Sequence, residues 1–185
     1  MSKFSLLAAL TAFTFTTASA HAGIVLGAAA GPKVGGDPTL AGGSFGGEIG
    51  FMFSSKKTAE EPPLLRWGFA FEAGAAVLAS SDGTLGGSDL ALVSKFHWRL
   101  GAVYIGPRAG IMGHFYQYKP QVGERQTETR QFGFVIGPEL VWPIAERTSL
   151  GARLSYESTN EEMDGKPNAH PPHAFDLSFG IAREF

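Results

Sequence analysis

Ten ionisable residues recur, one or two per segment, through a chain of 185 residues: Glu48, Glu72, Lys95, His97, Arg108, His114, Glu139, Arg153, Glu157 and Asp176. Carboxylates beside imidazoles can move protons or ligate a metal; carboxylates beside Lys and Arg can neutralise one another. The first two chemistries need a nucleophile or a ligand spacing, and neither is evident. With Cys 0 there is no thiolate nucleophile and no disulfide framework. No His-x-Ser occurs; the histidines read "FHW", "GHF" and "AHPPH", with His21 near the N-terminus. Ser80, Ser81 and Asp82 share one connection with no fixed relation to His114. The stretch "NEEMDGKPNAHPPH" gathers Glu161, Glu162, Asp164, His170 and His173, but matches no metal-ligand spacing. The glycines of "VGGDPTLAGG" do not open a helix after a strand, so they are not a phosphate loop. No cofactor is expected, and mutual neutralisation is the chemistry left.

The elements that position these residues follow from composition and period. Gly is 25 and Phe is 15, while charged residues are only 17%. Such a chain suits an all-β fold whose strands bend and approach closely. A formal net charge of -2 gives no electrostatic reason to expect nucleic acid. The start, "MSKFSLLAALTAFTFTTASAHA", combines Lys3, a short apolar run and small residues that fit cleavage after Ala20 or Ala22. That predicts a signal peptide over 1–22 and one domain over 23–185. The apolar run falls short of the roughly 20 residues that a membrane helix needs.

About eight alternating strands are predicted, near 23–31, 44–53, 65–78, 89–99, 103–117, 130–142, 148–157 and 174–185. A period of two separates an apolar row from a row of charges spaced by Gly, Ala and Ser. In a soluble barrel the apolar row would be the core; in a membrane barrel it faces lipid and the charges fill the lumen. Three features favour the membrane. Small residues on the polar row suit a narrow interior. Aromatics sit at strand ends, with Phe53, Trp67, Trp98, Trp142 and Phe185 at one rim and Phe45, Phe115, Phe132, Tyr156 and Phe175 at the other. Short turns also alternate with longer polar loops. The predicted fold is an antiparallel up-and-down transmembrane barrel.

Centring each hairpin on its connection gives a register. It sets Arg108 opposite Glu139, Glu139 beside Arg153, and Arg153 beside Asp176; Lys95 falls beside Arg108, and Glu72 lies between Lys95 and Glu48. The predicted lumen network is therefore Glu48, Glu72, Lys95, Arg108, Glu139, Arg153 and Asp176, its mixed signs expected to pair because unpaired charge in a confined interior is costly. Gly106-Pro107-Arg108 and Gly137-Pro138-Glu139 predict a shared bulge or kink near the periplasmic side that turns Arg108 and Glu139 toward each other.

The tail "FDLSFGIAREF" carries a family resemblance. With the signal peptide and the alternating strands, it resembles the small outer-membrane β-barrels of Gram-negative bacteria, of the OmpA transmembrane domain and OmpX-like type. The resemblance implies that Leu177, Phe179, Ile181 and Phe185 are the signal read by the barrel assembly machinery; Arg183 departs from that pattern. It implies location in the outer membrane, with outer-membrane lipid and lipopolysaccharide as surroundings. It fixes no activity and names no surface ligand. The known enzymes on such barrels modify lipid A with a serine-esterase arrangement that this sequence lacks as a motif. The reading is a non-enzymatic barrel with a structural or surface-interaction role and a plugged lumen. The alternatives are a narrow gated pore and a lipid A-modifying enzyme.

Overall fold

The computed structural model describes residues 21–35, 40–55, 62–81, 83–121, 127–159 and 173–185. Residues 1–20, which hold most of the expected signal peptide, lie outside them, as do Asp82 and 160–172 with Glu161, Glu162, Asp164 and His170. Eight strands close into one antiparallel barrel in sequence order: β1 (His21–Gly35), β2 (Leu40–Ser54), β3 (Leu65–Ala79), β4 (Gly83–Leu100), β5 (Val103–Pro120), β6 (Thr127–Ala145), β7 (Thr148–Thr159) and β8 (His173–Glu184). Closure pairs β1 with β8, so no edge is left to aggregate. Both described termini lie at one end, here the near end, with the tight turns at 101–102 and 146–147 and the longer connection between β2 and β3. Gly101 opens its two-residue turn with φ 62, a left-handed conformation open to glycine without strain.

Alternation sets what is inside. The apolar row is exposed: Phe45, Phe51, Phe71, Leu92, Ile111, Phe132, Phe179 and Ile181 all point outward. Lys33, Lys95, Arg108, His114 and Glu139 on the opposite row are buried. The barrel is thus inverted relative to a soluble protein, in which Lys, Arg and Glu are almost never fully buried.

Strands run further than alternation of apolar and polar residues suggests. "GPKV" and "LAGG", read as loop, are the ends of β1 and β2, and "GTLGGS" starts β4. Extended glycines pair as well as other residues, so the ladder continues where the hydrophobic signal has faded. One consequence concerns the aromatic rims. Phe53, Trp67, Trp98, Trp142 and Phe185 do lie near the strand ends at the near end. Phe45, Phe115 and Phe132 lie five residues inside theirs, so the strands overrun the second ring. Beyond it the outward row turns polar, with Thr84, Ser88, Gln117 and Lys119 exposed.

The expected bulge at the paired prolines is absent. Pro107 pairs directly with Pro138, flanked by Gly106↔Glu139 and Arg108↔Gly137 in unbroken register. The paired positions instead lapse on the far side of each proline, between Lys95↔Arg108 and Trp98↔Ile105 and between Ile136↔Tyr156 and Glu139↔Arg153. Pro32 repeats this against β8, between Ala30↔Phe179 and Lys33↔Asp176. A proline has no N–H to give one neighbour, so each spends its missing donor on one ladder and keeps the other regular. The glycine before each proline lets the neighbouring strand close in. A Cβ at Gly31, Gly106 or Gly137 would lie 1.9, 1.8 and 1.8 Å from the carbonyl oxygen of Leu177, Phe96 and Leu154. The irregularity that does occur lies at Pro143/Ala145.

Candidate functional site

The barrel interior is layered. Near its middle, Lys95 Nζ lies 2.6 Å from Glu48, 3.3 Å from Glu139 and 3.7 Å from Glu72. Arg153 reaches the same three carboxylates, at 3.1 Å for Glu48, 3.3 Å for Glu72 and 3.8 Å for Glu139. Arg108 pairs with Glu72 and donates to Ser155 Oγ. His97 Nε2 sits 3.1 Å from Glu139. Three cations thus share three carboxylates, and each carboxylate touches two or three cations. Each buried charge is met by at least one opposite charge, which is what a buried ionic group needs to persist.

Six of the seven predicted network residues meet here, though not all through the predicted neighbours. Three predicted pairs stand in the register: Glu48↔Glu72, Lys95↔Arg108 and Glu139↔Arg153. Arg108 and Glu139 are offset by two residues instead of lying opposite each other. Glu72 faces Ala91, four residues from Lys95, and reaches Lys95 only because both side chains are long. Asp176 does not join the cluster. Its partner on β7 is Ser155, not Arg153, and its carboxylate accepts from the Ser44 hydroxyl. The stagger of a closed barrel carries β8 past the level of the knot.

Toward the far end lies a second cluster. Lys33 Nζ, fully buried, is 2.6 Å from Glu157 and 3.2 Å from Asp89. Asp89 also accepts from the Tyr116 hydroxyl at 2.9 Å and lies 2.5 Å from His114 Nδ1. The His114 ring stacks on Tyr116. His114 is therefore held by a carboxylate and an aromatic ring. Above this cluster, Leu40, Ala76, Leu78, Leu85 and Tyr116 pack into a dry apolar layer, with Leu78 and Leu85 at 0% exposure.

At the near end Arg66 of β3 pairs with Glu184 of β8 across the mouth. The Arg66 guanidinium also lies 5.4 Å from the Tyr104 ring centroid, and Tyr104 donates to the Pro63 carbonyl at 2.9 Å. Cavities lie on both sides of the knot. One, of about 90 Å³, lies between the mouth and the knot and is lined by Met52, Arg66, His97, Glu139 and Arg153. The other, of about 100 Å³, lies between knot and far cluster, lined by Ser44, Asp89, Arg108, Ser155, Glu157 and Asp176. Among the described residues no group of three or more His, Asp or Glu is arranged to hold a metal ion.

Sequence reasoning missed Lys33, Asp89 and the Arg66–Glu184 pair. Lys33 keeps the parity of Gly27, Ala29 and Gly31, so extending β1 by one turn of the pleat would have found it. Asp89 has the parity of Ala91, Val93 and Lys95. A contact between β3 and β8, which have β1 and β2 between them around the wall, has no signature in either strand.

The outward aromatics gather in small groups. Phe53 stacks on Trp67 with centroids 6.0 Å apart, and Phe96 meets Trp98 edge-on at 5.0 Å. Arg183 lies on the outward row with its guanidinium 5.3 Å from the Phe185 ring centroid.

No protein-family model matches the chain, and no curated protein is similar to it in sequence. Solved structures share its fold. Neisserial surface protein A is 16% identical over 89% of this chain and 99% of its own, with a TM-score of 0.61. Ail, the attachment invasion locus protein of Yersinia pestis, crystallised in complex with the heparin analogue sucrose octasulfate, is 12% identical over 90% of this chain and 99% of its own, with a TM-score of 0.58. The outer membrane enzyme PagL is 17% identical over 86% of this chain and 98% of its own, with a TM-score of 0.50. At these identities the likeness is one of fold, and the fold is that of the small outer-membrane β-barrels of closed eight-stranded, antiparallel architecture.

Proposed function

We propose that the protein is an integral outer-membrane barrel of a Gram-negative cell with a structural or surface-interaction role, exported by its first 22 residues and plugged by its own charges. The observation that carries this reading is the inversion of the barrel. Large apolar side chains, Phe45, Phe132 and Ile111 among them, are two-thirds exposed, while Lys33, Arg108 and Glu139 are buried. At roughly 25 cal/mol per Å², leaving that row in water would forfeit a large part of the stabilisation available to a chain of this size. Lipid removes the cost. Phe53, Trp67, Trp98, Trp142 and Phe185 then form the girdle at the periplasmic head groups. Leu177, Phe179, Ile181 and Phe185 present the alternate-position pattern that the assembly machinery would read, and lipopolysaccharide would surround the far half.

Two barriers in series support the plugged lumen. One is the ion-pair knot, and the other is the apolar layer of Leu40, Leu78, Leu85 and Tyr116. The cavities on either side of the knot keep a narrow gated pore as the second reading. Expression of the full-length chain in a Gram-negative host tests the proposal. The expected result is a band in the outer-membrane fraction whose migration shifts on heating, with no unitary conductance in planar bilayers and an unchanged lipid A mass spectrum. Recovery as a detergent-free periplasmic protein would overturn the membrane reading. Conductance altered by Glu139→Ala would instead establish the pore, and a changed lipid A would establish an enzyme.

A further inference from the structure

The charges of the interior are not evenly divided. In the knot, Lys95, Arg108 and Arg153 balance Glu48, Glu72 and Glu139. In the far half, Lys33 faces three carboxylates, Asp89, Glu157 and Asp176, and is engaged by the first two, with His114 Nδ1 also 2.5 Å from Asp89. Asp176 lies directly across the β1–β8 ladder from Lys33, yet Lys33 turns away from it. Asp176 is 8% exposed, and its partner in the structure is the neutral hydroxyl of Ser44. A buried carboxylate that meets no cation is costly and calls for a counter-charge.

That carboxylate lines the cavity of about 100 Å³ between the two clusters. Glu157, 7% exposed, lines it too, with its Oε2 2.6 Å from Lys33 Nζ. Two carboxylates therefore face one cavity, Glu157 paired with Lys33 and Asp176 with a hydroxyl. Ser44 and Ser178 add hydroxyls to its lining, and Ala29, Gly46 and Gly74 leave the room. Arg108 and Arg153 also line it, both held by carboxylates of the knot, and Arg108 Nε still needs an acceptor. A water occupying roughly 10–15 Å³ of the space would meet that need and still leave most of it open.

We infer that this chamber binds a small monovalent cation, with the Asp176 carboxylate as its charged ligand and oxygens of Glu157, Ser44 and enclosed waters completing the shell. The charge count favours one positive charge over two. The surplus belongs to Asp176, because Asp89 and Glu157 already share Lys33, and hard divalent cations draw on several uncompensated oxygens at once. An anion is disfavoured by the same count. The apolar layer stands above the chamber and the knot below it, so the ion is a resident of the fold. The inference goes beyond the plugged-barrel reading and depends on the interior charges, not on which membrane the barrel occupies.

The experiment is a melting comparison of the full-length mature barrel, refolded in detergent, in NaCl or KCl against N-methylglucamine chloride at equal ionic strength. With the salt about tenfold above the dissociation constant, the alkali cation should raise Tm by about 3–6 °C. Asp176→Asn keeps the size of the side chain and an acceptor for Ser44, and it should abolish the difference. Equal melting in both salts, or a difference that persists in Asp176→Asn, overturns the inference, the latter by placing the cation elsewhere. A rise seen with Mg²⁺ or Ca²⁺ alone overturns the monovalent assignment. Sodium-23 line broadening on the wild-type barrel, reversed by excess K⁺, reads the same site should the variant fail to fold; its absence counts against the proposal. Failure of this test leaves membrane insertion, which is read by fractionation, untouched.

Discussion

Lys95→Met tests whether the knot holds the barrel or merely decorates it. Lys95 is 5% exposed and is the cation closest to Glu48, with Glu139 and Glu72 also within salt-bridge distance. Methionine keeps most of the volume and loses the charge, so the knot passes from three cations on three carboxylates to two on three. Arg153 still touches all three acids and Arg108 still holds Glu72, so the surplus falls mainly on Glu48 and Glu139. Removing one partner of a buried ionic group costs about 3–5 kcal/mol, because the other is left buried and uncompensated. For a chain of this size that corresponds to a fall in Tm of about 6–20 °C.

Adding Glu48→Gln to the same chain restores the balance of charges without restoring the contact, so it should recover part of the loss. Coupling between the two positions should be about 1–3 kcal/mol in a double-mutant cycle. The assay is urea unfolding in lipid vesicles, followed by the fluorescence of Trp67, Trp98 and Trp142, all on the outward row. A loss below about 1 kcal/mol in Lys95→Met, or no recovery in the double variant, would refute the reasoning. Either result would mean that backbone pairing alone sustains the barrel.

Further expectations address other parts of the wall. Gly106→Ala puts a Cβ where the Phe96 carbonyl oxygen now stands and should cost about 1–3 kcal/mol; Gly86→Ala, which meets nothing within 4 Å, should cost well under 1 kcal/mol in the same unfolding assay. Phe185→Ala should lower the heat-modifiable fraction in the outer membrane several-fold while changing the unfolding free energy of the purified barrel by less than about 1 kcal/mol, since the side chain is more than half exposed. Leu78→Ala, at a fully buried position in the far apolar layer, should cost about 2–5 kcal/mol; a value near zero would show that the layer is not packed as described.

What the sequence made legible and what it hid have one physical origin. Alternation records which face a residue takes, and the apolar row of Phe69, Phe71, Leu90, Leu92, Phe132 and Phe134 could be assigned without coordinates. Hairpin centring recovered Lys95↔Arg108 and Glu139↔Arg153, because tight turns at 101–102 and 146–147 tie register to position in the chain, and it also recovered Glu48↔Glu72 across the longer β2–β3 connection. It went astray by two residues at Arg108 and Glu139 and at Asp176, where the connections are longer, and by four at Glu72 and Lys95, where the strands run on into the residues read as loop. A polar residue among glycines, such as Lys33, carries no periodic signal, so the end of β1 read as loop. Contacts that cross the lumen, such as Lys33 with Asp89 and Arg66 with Glu184, depend on closure and belong to no hairpin at all.

Those cross-lumen contacts bear on how such a small barrel stays round. Neighbouring strands are joined by ladders, but a ladder resists shear more than flattening of the ring. Ties between strands that are not neighbours resist flattening directly. Arg153 on β7 reaches Glu48 on β2 and Glu72 on β3; Lys33 on β1 reaches Asp89 on β4 and Glu157 on β7; Arg66 on β3 reaches Glu184 on β8. These ties lie at three heights, with a cavity between each pair of levels. The small residues that line the second cavity, Gly27, Ala29, Gly46 and Gly74, come from β1, β2 and β3, whereas β4 to β6 fill the same depth with Ala91, Val93, Met112 and Val135. The interior is therefore braced by charge at three levels and packed by apolar contact along one wall. The open space lies on the β1–β3 side, where Asp176 is held by the Ser44 hydroxyl and by no cationic side chain among the described residues.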